Sequence, residues 1–382
     1  MAFEALDPSG YRLPESLLAR VQTPALVVHV DRVRGNLARV LELCGGDPLR
    51  WRAHVKSTKI PRVLAELVRA GLRRFKCATT RELAVLLETL ELEGVHDGDV
   101  LLAYPLVGPG LARVAELAAR HPRARLSVLC EVPEAVAEVP ARVGVFVDIN
   151  SGLDRTGIPL ENSEVVRATL RAAGARLRGV HFYDGHLHQA DHQERRRAAH
   201  AGYARLAQSL DALGREAPPV PEIVSAGTPA LLDALAFVGL ARPGRAHTVS
   251  PGTVVYHDLR SELETPELRL APAALVLARV VSHPAPGRAT CDAGSKSLAA
   301  EAGDPCAVAL GRPELVAGPP SEEHLPFDGP LGRLPARGEV LQLVPRHVCP
   351  TVNLAEQALI VERGALLEVA PVSARAHELL LA

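Results

Sequence analysis

A lysine that closes a short apolar run is the first residue in this chain placed to do chemistry. In Arg52-Ala53-His54-Val55-Lys56-Ser57-Thr58-Lys59 the run ends at Lys56, polar residues follow, and a helical pattern opens at Pro61. A lysine at the mouth of a strand can bury its stem in a cavity. Desolvation there lowers the pKa of the amine and makes it a usable nucleophile or base. Further on, Asp148-Ile149-Asn150-Ser151-Gly152-Leu153-Asp154-Arg155-Thr156-Gly157 reads as a strand followed by a polar, glycine-containing loop with one arginine. Tyr183-Asp184-Gly185-His186-Leu187-His188 follows another apolar run and offers a phenol and an imidazole. Ser225-Ala226-Gly227-Thr228-Pro229 and Pro251-Gly252-Thr253 are small-residue turns, and the first precedes a helix. Such turns expose backbone N–H groups that suit a phosphate. In Val344-Pro345-Arg346-His347-Val348-Cys349-Pro350-Thr351, His347 and Cys349 stand two apart. On an extended segment that spacing projects both to one side, as two metal ligands would. His324 is an isolated candidate. Each segment alone is ordinary turn or core chemistry; their recurrence at successive strand ends is what carries weight.

The elements that must position these side chains alternate regularly. Strand-like runs at 25–30, 52–55, 75–78, 100–103, 126–129, 143–148, 177–182 and 222–225 are separated by amphipathic stretches rich in Ala, Leu, Arg and Glu. Eight such units fit a (β/α)8 barrel better than an open doubly wound sheet. In a barrel, functional residues gather where strands run into the following loops. No G-x-G-x-x-G or Walker-type loop is present, which weakens a nucleotide-binding alternative. After Asp258 the texture changes: 268–281, 287–292 and 338–344 read as strands between Pro and Gly turns. The sequence therefore predicts an α/β barrel over 24–260 and a mainly β domain over 261–382, with residues 1–23 packed on the latter.

With 382 residues, 47% hydrophobic content and a net charge of -1, the chain is an ordinary globular protein with no basic excess for nucleic acid. Aromatic residues make up only 3%, so Leu, Val and Ala must build the core. The N-terminal stretch has neither a basic start nor an apolar h-region, and no run approaches 18 uncharged apolar residues. The expectation is no signal peptide and no membrane helix. Six cysteines scattered without a framework spacing point to reduced thiols and the cytoplasm.

Taken in order from Thr23 to about Leu354, these segments resemble the fold-type III enzymes that use pyridoxal 5'-phosphate (PLP), specifically the D-threonine aldolase and D-serine dehydratase group. The shared segments include the lysine octet, V-D-I-N-S-G-L-D-R-T-G-I, Y-D-G-H, S-A-G-T-P, S-P-G-T-V-V-Y-H-D, C-D-A-G-S-K-S-L, S-E-E-H and V-P-R-H-V-C-P-T-V-N-L. The resemblance implies a PLP barrel plus a β domain like that of alanine racemase, a homodimer, and a small D-amino acid as substrate. By the same resemblance Lys56 is similar to the Schiff-base lysine, and Arg155 to the arginine on the PLP phenolic oxygen. Gly227, Thr228, Gly252 and Thr253 fall where phosphate-binding groups lie, and Tyr256 joins the cofactor-binding set. Tyr183 and His186 match active-site positions, with His186 as base. His347 and Cys349 match the divalent-metal pair, where thiolate softness favours Zn2+ over Mn2+ or Mg2+. Some positions depart: Thr58 stands where many relatives carry histidine, Ala53 where proline is common, and Leu325 replaces the glycine that often follows S-E-E-H. Cys349 resembles the dehydratases, whereas Y-D-G-H-L-H resembles the aldolases. The resemblance thus implies retro-aldol cleavage of D-β-hydroxy-α-amino acids to glycine and an aldehyde. D-Serine dehydratase is the alternative, and a racemase, an aldol transferase or a non-catalytic PLP-binding protein stand behind it.

Overall fold

The computed structural model describes residues 8–189 and 191–379; the first seven residues, expected on the β domain, lie outside that range. Two compact units emerge. One is built from 40–56, 67–252 and 377–379, the last of these expected on the β domain; the other is built from 8–39, 57–66 and 253–376.

The first unit is a barrel of parallel strands in the order Ala53–His54, Arg74–Cys77, Asp99–Leu102, Arg125–Cys130, Gly144–Asn150, Leu177–Phe182, Glu222–Ser225 and Ala246–Val249. The ring closes where Trp51 pairs with Val249 and the Arg52 N–H donates to the Val249 carbonyl at 2.9 Å. Gly-Val-Phe-Val-Asp-Ile-Asn, the Gly144–Asn150 strand, is buried through Ile149, the continuous apolar run of a parallel strand covered on both faces. Helices begin where the sequence supplies caps. Thr79 Oγ1 accepts from the Glu82 N–H at 3.0 Å, and the Glu82 carboxylate accepts from the Ala78 N–H at 2.7 Å. That reciprocal arrangement starts the Thr80–Leu92 helix directly behind the Arg74–Cys77 strand.

The second unit is a mainly antiparallel sheet. Its order is Val316–Ala317, Leu325–Asp328, Arg288–Cys291, Ala274–Ala285, Ala25–His29, Gln357–Glu362 and Ala365–Pro371, and Val340–Pro345 pairs with both Ala274–Ala285 and Ala307–Ala309. This corrects one expectation. The run at 25–30 does form a strand, but it lies between Ala274–Ala285 and Gln357–Glu362 and is no part of the barrel. The eighth barrel strand is instead Ala246–Val249, which the pattern did not mark. Both runs are short and apolar, so periodicity identifies a strand without choosing its sheet. Val27 settles in a core with Tyr11, Leu13, Leu275, Leu277, Val344 and Val361. All six cysteines are buried free thiols, and no helix among the described residues is long and apolar enough to cross a membrane.

Candidate active site

Lys56 lies just past the Ala53–His54 strand, in a turn tied down by the Val55 N–H donating to the Lys76 carbonyl at 2.8 Å. The Lys56 N–H donates to His54 Nδ1 at 3.4 Å. A cavity of about 490 Å3 opens here, lined by Lys56, His54, Lys76, Arg155, His181 and Tyr183 among others. Its size falls within the range of small-ligand pockets, and its place is the catalytic face of a barrel. Lys56, Arg155 and Tyr183, singled out from the sequence, are thus brought together. Arg155 lies over the Tyr183 ring, with its guanidinium carbon 5.0 Å from the centroid.

Lys76 and His181, unmarked by sequence reasoning, line this cavity. His54, Asp148 and Thr156, which stand in the segments singled out from the sequence without a role of their own, line or support it. Lys76 is 2% exposed, and its amine is 5.2 Å from the Tyr183 ring centroid. Burial, with the charge of Lys56 next, pushes its pKa from 10.5 down to about 7, against a weaker pull from Asp184. His54 is held well below its ordinary value by burial and then by the Lys76 and Lys56 charges, so it stays neutral. His181 shares a 2.7 Å contact between Nδ1 and Asp148 Oδ1, while Thr156 donates to Asp148 Oδ2 at 2.8 Å. Burial lowers the His181 pKa despite Asp148, so the neutral ring keeps its proton on Nδ1. Its Nε2, buried without a partner, is left as a lone-pair acceptor. One signal was available: Lys76 and His181 are each the next-to-last residue of a strand, Arg-Phe-Lys-Cys and Leu-Arg-Gly-Val-His-Phe, beside the ends where functional side chains gather.

The other expected residues sit less simply. His186 is half-buried near Gly152, has an unpartnered Nδ1, and does not line the Lys56 cavity. The Gly227 N–H is already engaged by Asp184 Oδ1 at 3.2 Å, and the same carboxylate accepts from Tyr203. Burial raises the Asp184 pKa. A side chain at Gly227 would come within 3.2 Å of the Tyr183 ring, and one at Gly252 within 2.4 Å of the His54 carbonyl. Gly252 therefore demands glycine for close approach, while a side chain at Gly227 would need the Tyr183 ring to shift by a few tenths of an ångström. Thr228 is buried in the turn ahead of Leu231–Ala236.

In the other unit the Tyr256 hydroxyl donates to the Thr58 carbonyl at 2.9 Å, anchoring the segment that follows Lys56. His347 and Cys349 are brought together, but not on an extended strand as the spacing predicted. His347 is the extended residue ahead of the Val348–Leu354 helix, and Cys349 lies in its first turn. Ser57 Oγ is 2.8 Å and Thr253 Oγ1 3.4 Å from Cys349 Sγ, and Glu301 is 2.8 Å from His347 Nδ1. Burial opposes charge on His347, yet Cys349, Asp258 and Glu301 together raise its pKa to about 9. Among the described residues no group of three or more His, Cys, Asp or Glu is arranged to hold a metal. The pair offers one nitrogen and one sulfur, and two ligands alone would leave open positions on any ion held there.

Comparison with known proteins agrees with this geometry. Residues 28–256 match the alanine racemase N-terminal domain family, and 273–361 match a serine dehydratase domain family. A D-threonine aldolase of Arthrobacter sp is 28% identical over 97% of each chain. A 3-hydroxy-D-aspartate aldolase of Paracoccus denitrificans (strain Pd 1222) is 27% identical over 97% of this chain and 98% of its own. The crystal structure of D-threonine aldolase from Filomicrobium marinum superposes with a TM-score of 0.81 at 28% identity, covering 94% of this chain and 96% of that one. The cavity fits an anionic cofactor: Lys56 and Arg155 line one space, and His181, whose Nε2 is buried without a partner, lines it too. With the barrel, its lysine and a family match spanning more than half the chain, this protein belongs to the alanine racemase N-terminal domain family of fold-type III PLP enzymes.

Proposed function

We propose that the chain is a PLP- and divalent-metal-dependent lyase that cleaves D-β-hydroxy-α-amino acids of the D-threonine type to glycine and an aldehyde. The observation that carries this reading is the shared cavity of Lys56, Arg155 and Tyr183 at the strand ends, in a chain whose aldolase relatives align along nearly its whole length. Lys56 would hold the cofactor through its amine and Arg155 its phenolic oxygen, and the turns at Gly227-Thr228 and Gly252-Thr253, with Tyr256, would hold its phosphate end. His347 and Cys349 hold the metal, with Zn2+ favoured and Mn2+ or Mg2+ as alternatives; Glu301 on His347 Nδ1 orients the imidazole. When bound, PLP supplies an electron sink and the metal a Lewis acid for the substrate β-hydroxyl. His186 takes the β-hydroxyl proton; the Cα–Cβ bond breaks, Cβ becomes the aldehyde carbon, and Cα gains a proton to become glycine.

D-Serine dehydratase is the second reading, favoured by the thiol at Cys349 and the serine dehydratase domain match over 273–361. There Lys56 takes the α-proton and the β-hydroxyl leaves. Purified protein with PLP, Zn2+ or Mn2+, and D-threonine separates the two. Glycine and acetaldehyde are expected; 2-oxobutanoate with ammonia would replace the aldolase by the dehydratase. The same reading includes a cytoplasmic homodimer, which light scattering of the holoprotein tests by its mass.

A further inference from the structure

Lys76 is the cation of the cavity to which the proposed reaction assigns no task. We propose that its ammonium binds a carboxylate of the substrate, making Lys76 a specificity-determining residue of the same site. This rests on the lyase reading and adds a substrate feature to it. Lys76 is almost fully buried, lines the cavity beside Lys56 and Arg155, and has no hydrogen bond or ion pair to a carboxylate among the described residues. The nearby acids are committed elsewhere: Asp148 to His181 and Thr156, Asp184 to Tyr203 and the Gly227 N–H. The remaining neighbours, His54, Arg155 and Tyr183, bring no negative charge that pairs with it. A buried ammonium with no carboxylate bonded to it, and only the weaker pull of acids engaged elsewhere, is costly, and an entering carboxylate removes that cost. Its lowered pKa agrees, because burial and the Lys56 charge disfavour the charged amine and an entering anion favours it. Two carboxylates have this chemistry: the α-carboxylate of every amino acid, and the side-chain carboxylate of a 3-hydroxyaspartate-type substrate.

The test uses PLP-loaded full-length protein and two acids without a β-hydroxyl, D-alanine and D-aspartate, titrated by the change in cofactor absorbance. Lys76→Met should weaken binding roughly 10- to 100-fold, the scale of a hydrogen bond to a charged group. Loss for both acids assigns the α-carboxylate; loss for D-aspartate alone assigns the side chain. Unchanged affinity for both overturns the proposal. So does loss of PLP from a folded variant, which would give the cation to the cofactor. Should Lys76→Met not fold, the wild-type protein is titrated with D-alaninamide and D-asparagine. The proposal falls if neither acid binds more tightly than its amide. A wild-type protein that binds the acids yet makes neither glycine nor 2-oxobutanoate from D-threonine sinks the lyase reading for that substrate and leaves Lys76 standing.

Discussion

At the scale of single residues, two lysines in one cavity have different tasks. Lys56→Ala should give folded protein without the visible absorbance of bound cofactor and without turnover; a retained band would move the cofactor to another amine, with Lys76 the neighbour in reach of the same space. Lys76 makes a second measurable demand. Its pKa lies near 10.5 when the side chain is solvated and about 7 in the folded chain. Between those values the unfolded chain binds more protons, so Lys76 costs stability at pH 7 and costs progressively less as pH rises toward 10.5. Urea midpoints of apo wild type and Lys76→Met should therefore differ more at pH 7 than at pH 9.5, with the variant the more stable at pH 7. Lys56 was legible because a polar turn follows its run. Lys76 was less so: its place near a strand's end was visible, but a lysine in Arg-Phe-Lys-Cys says nothing about which way it faces until the neighbouring strands are in place.

At the scale of elements, the segment around His347 shows how one carboxylate organises two helices. Asp258 Oδ1 accepts from the Ser261 N–H at 2.8 Å, capping Leu259–Glu264, and its Oδ2 accepts from the Val348 N–H at 2.9 Å, at the start of Val348–Leu354. Asp258→Ala should cost about 1–3 kcal/mol by removing both caps, and calorimetry of the apo protein measures it. His347→Ala should leave PLP bound while metal content and most activity are lost; full activity in chelator would remove the metal from the reaction. The H-x-C spacing was visible in the sequence, but its conformation was not. Pro350 in the next position suits the first turn of a helix as readily as an extended segment.

At the scale of the molecule, the barrel separates chemistry from stability. Lys56 and its cavity lie past the C-terminal ends of the strands. Arg52, fully buried, bonds Glu222 at 2.9 and 3.2 Å and Asp99 at 2.7 Å, both residues opening their strands at the other end. Thr248 completes the network by donating to Glu222 at 2.6 Å. Arg52→Met leaves Asp99 and Glu222 with only their longer charge contacts to Arg125 at 3.9 Å and Arg74 at 4.0 Å, and should destabilise the protein by about 3 kcal/mol. Denaturant unfolding of the apo protein checks this; a loss below about 1 kcal/mol would show that solvent reaches the network. The order of the chain shows the same division: Lys56 is the last barrel residue before the excursion over 57–66 into the other unit.

What the sequence determined by itself was local. It contains the alternation of strand-like and helical runs, the polar turns behind them, the lysine at one run's end and the His-Cys spacing, each set by neighbours a few residues apart. Only the tertiary structure decided that Ala25–His29 leaves the barrel and Ala246–Val249 closes it. It alone decided that Lys76 and His181 face one cavity. The physical reason is shared: pairing partners and the inward face of a strand depend on residues hundreds of positions away, and no local period records them.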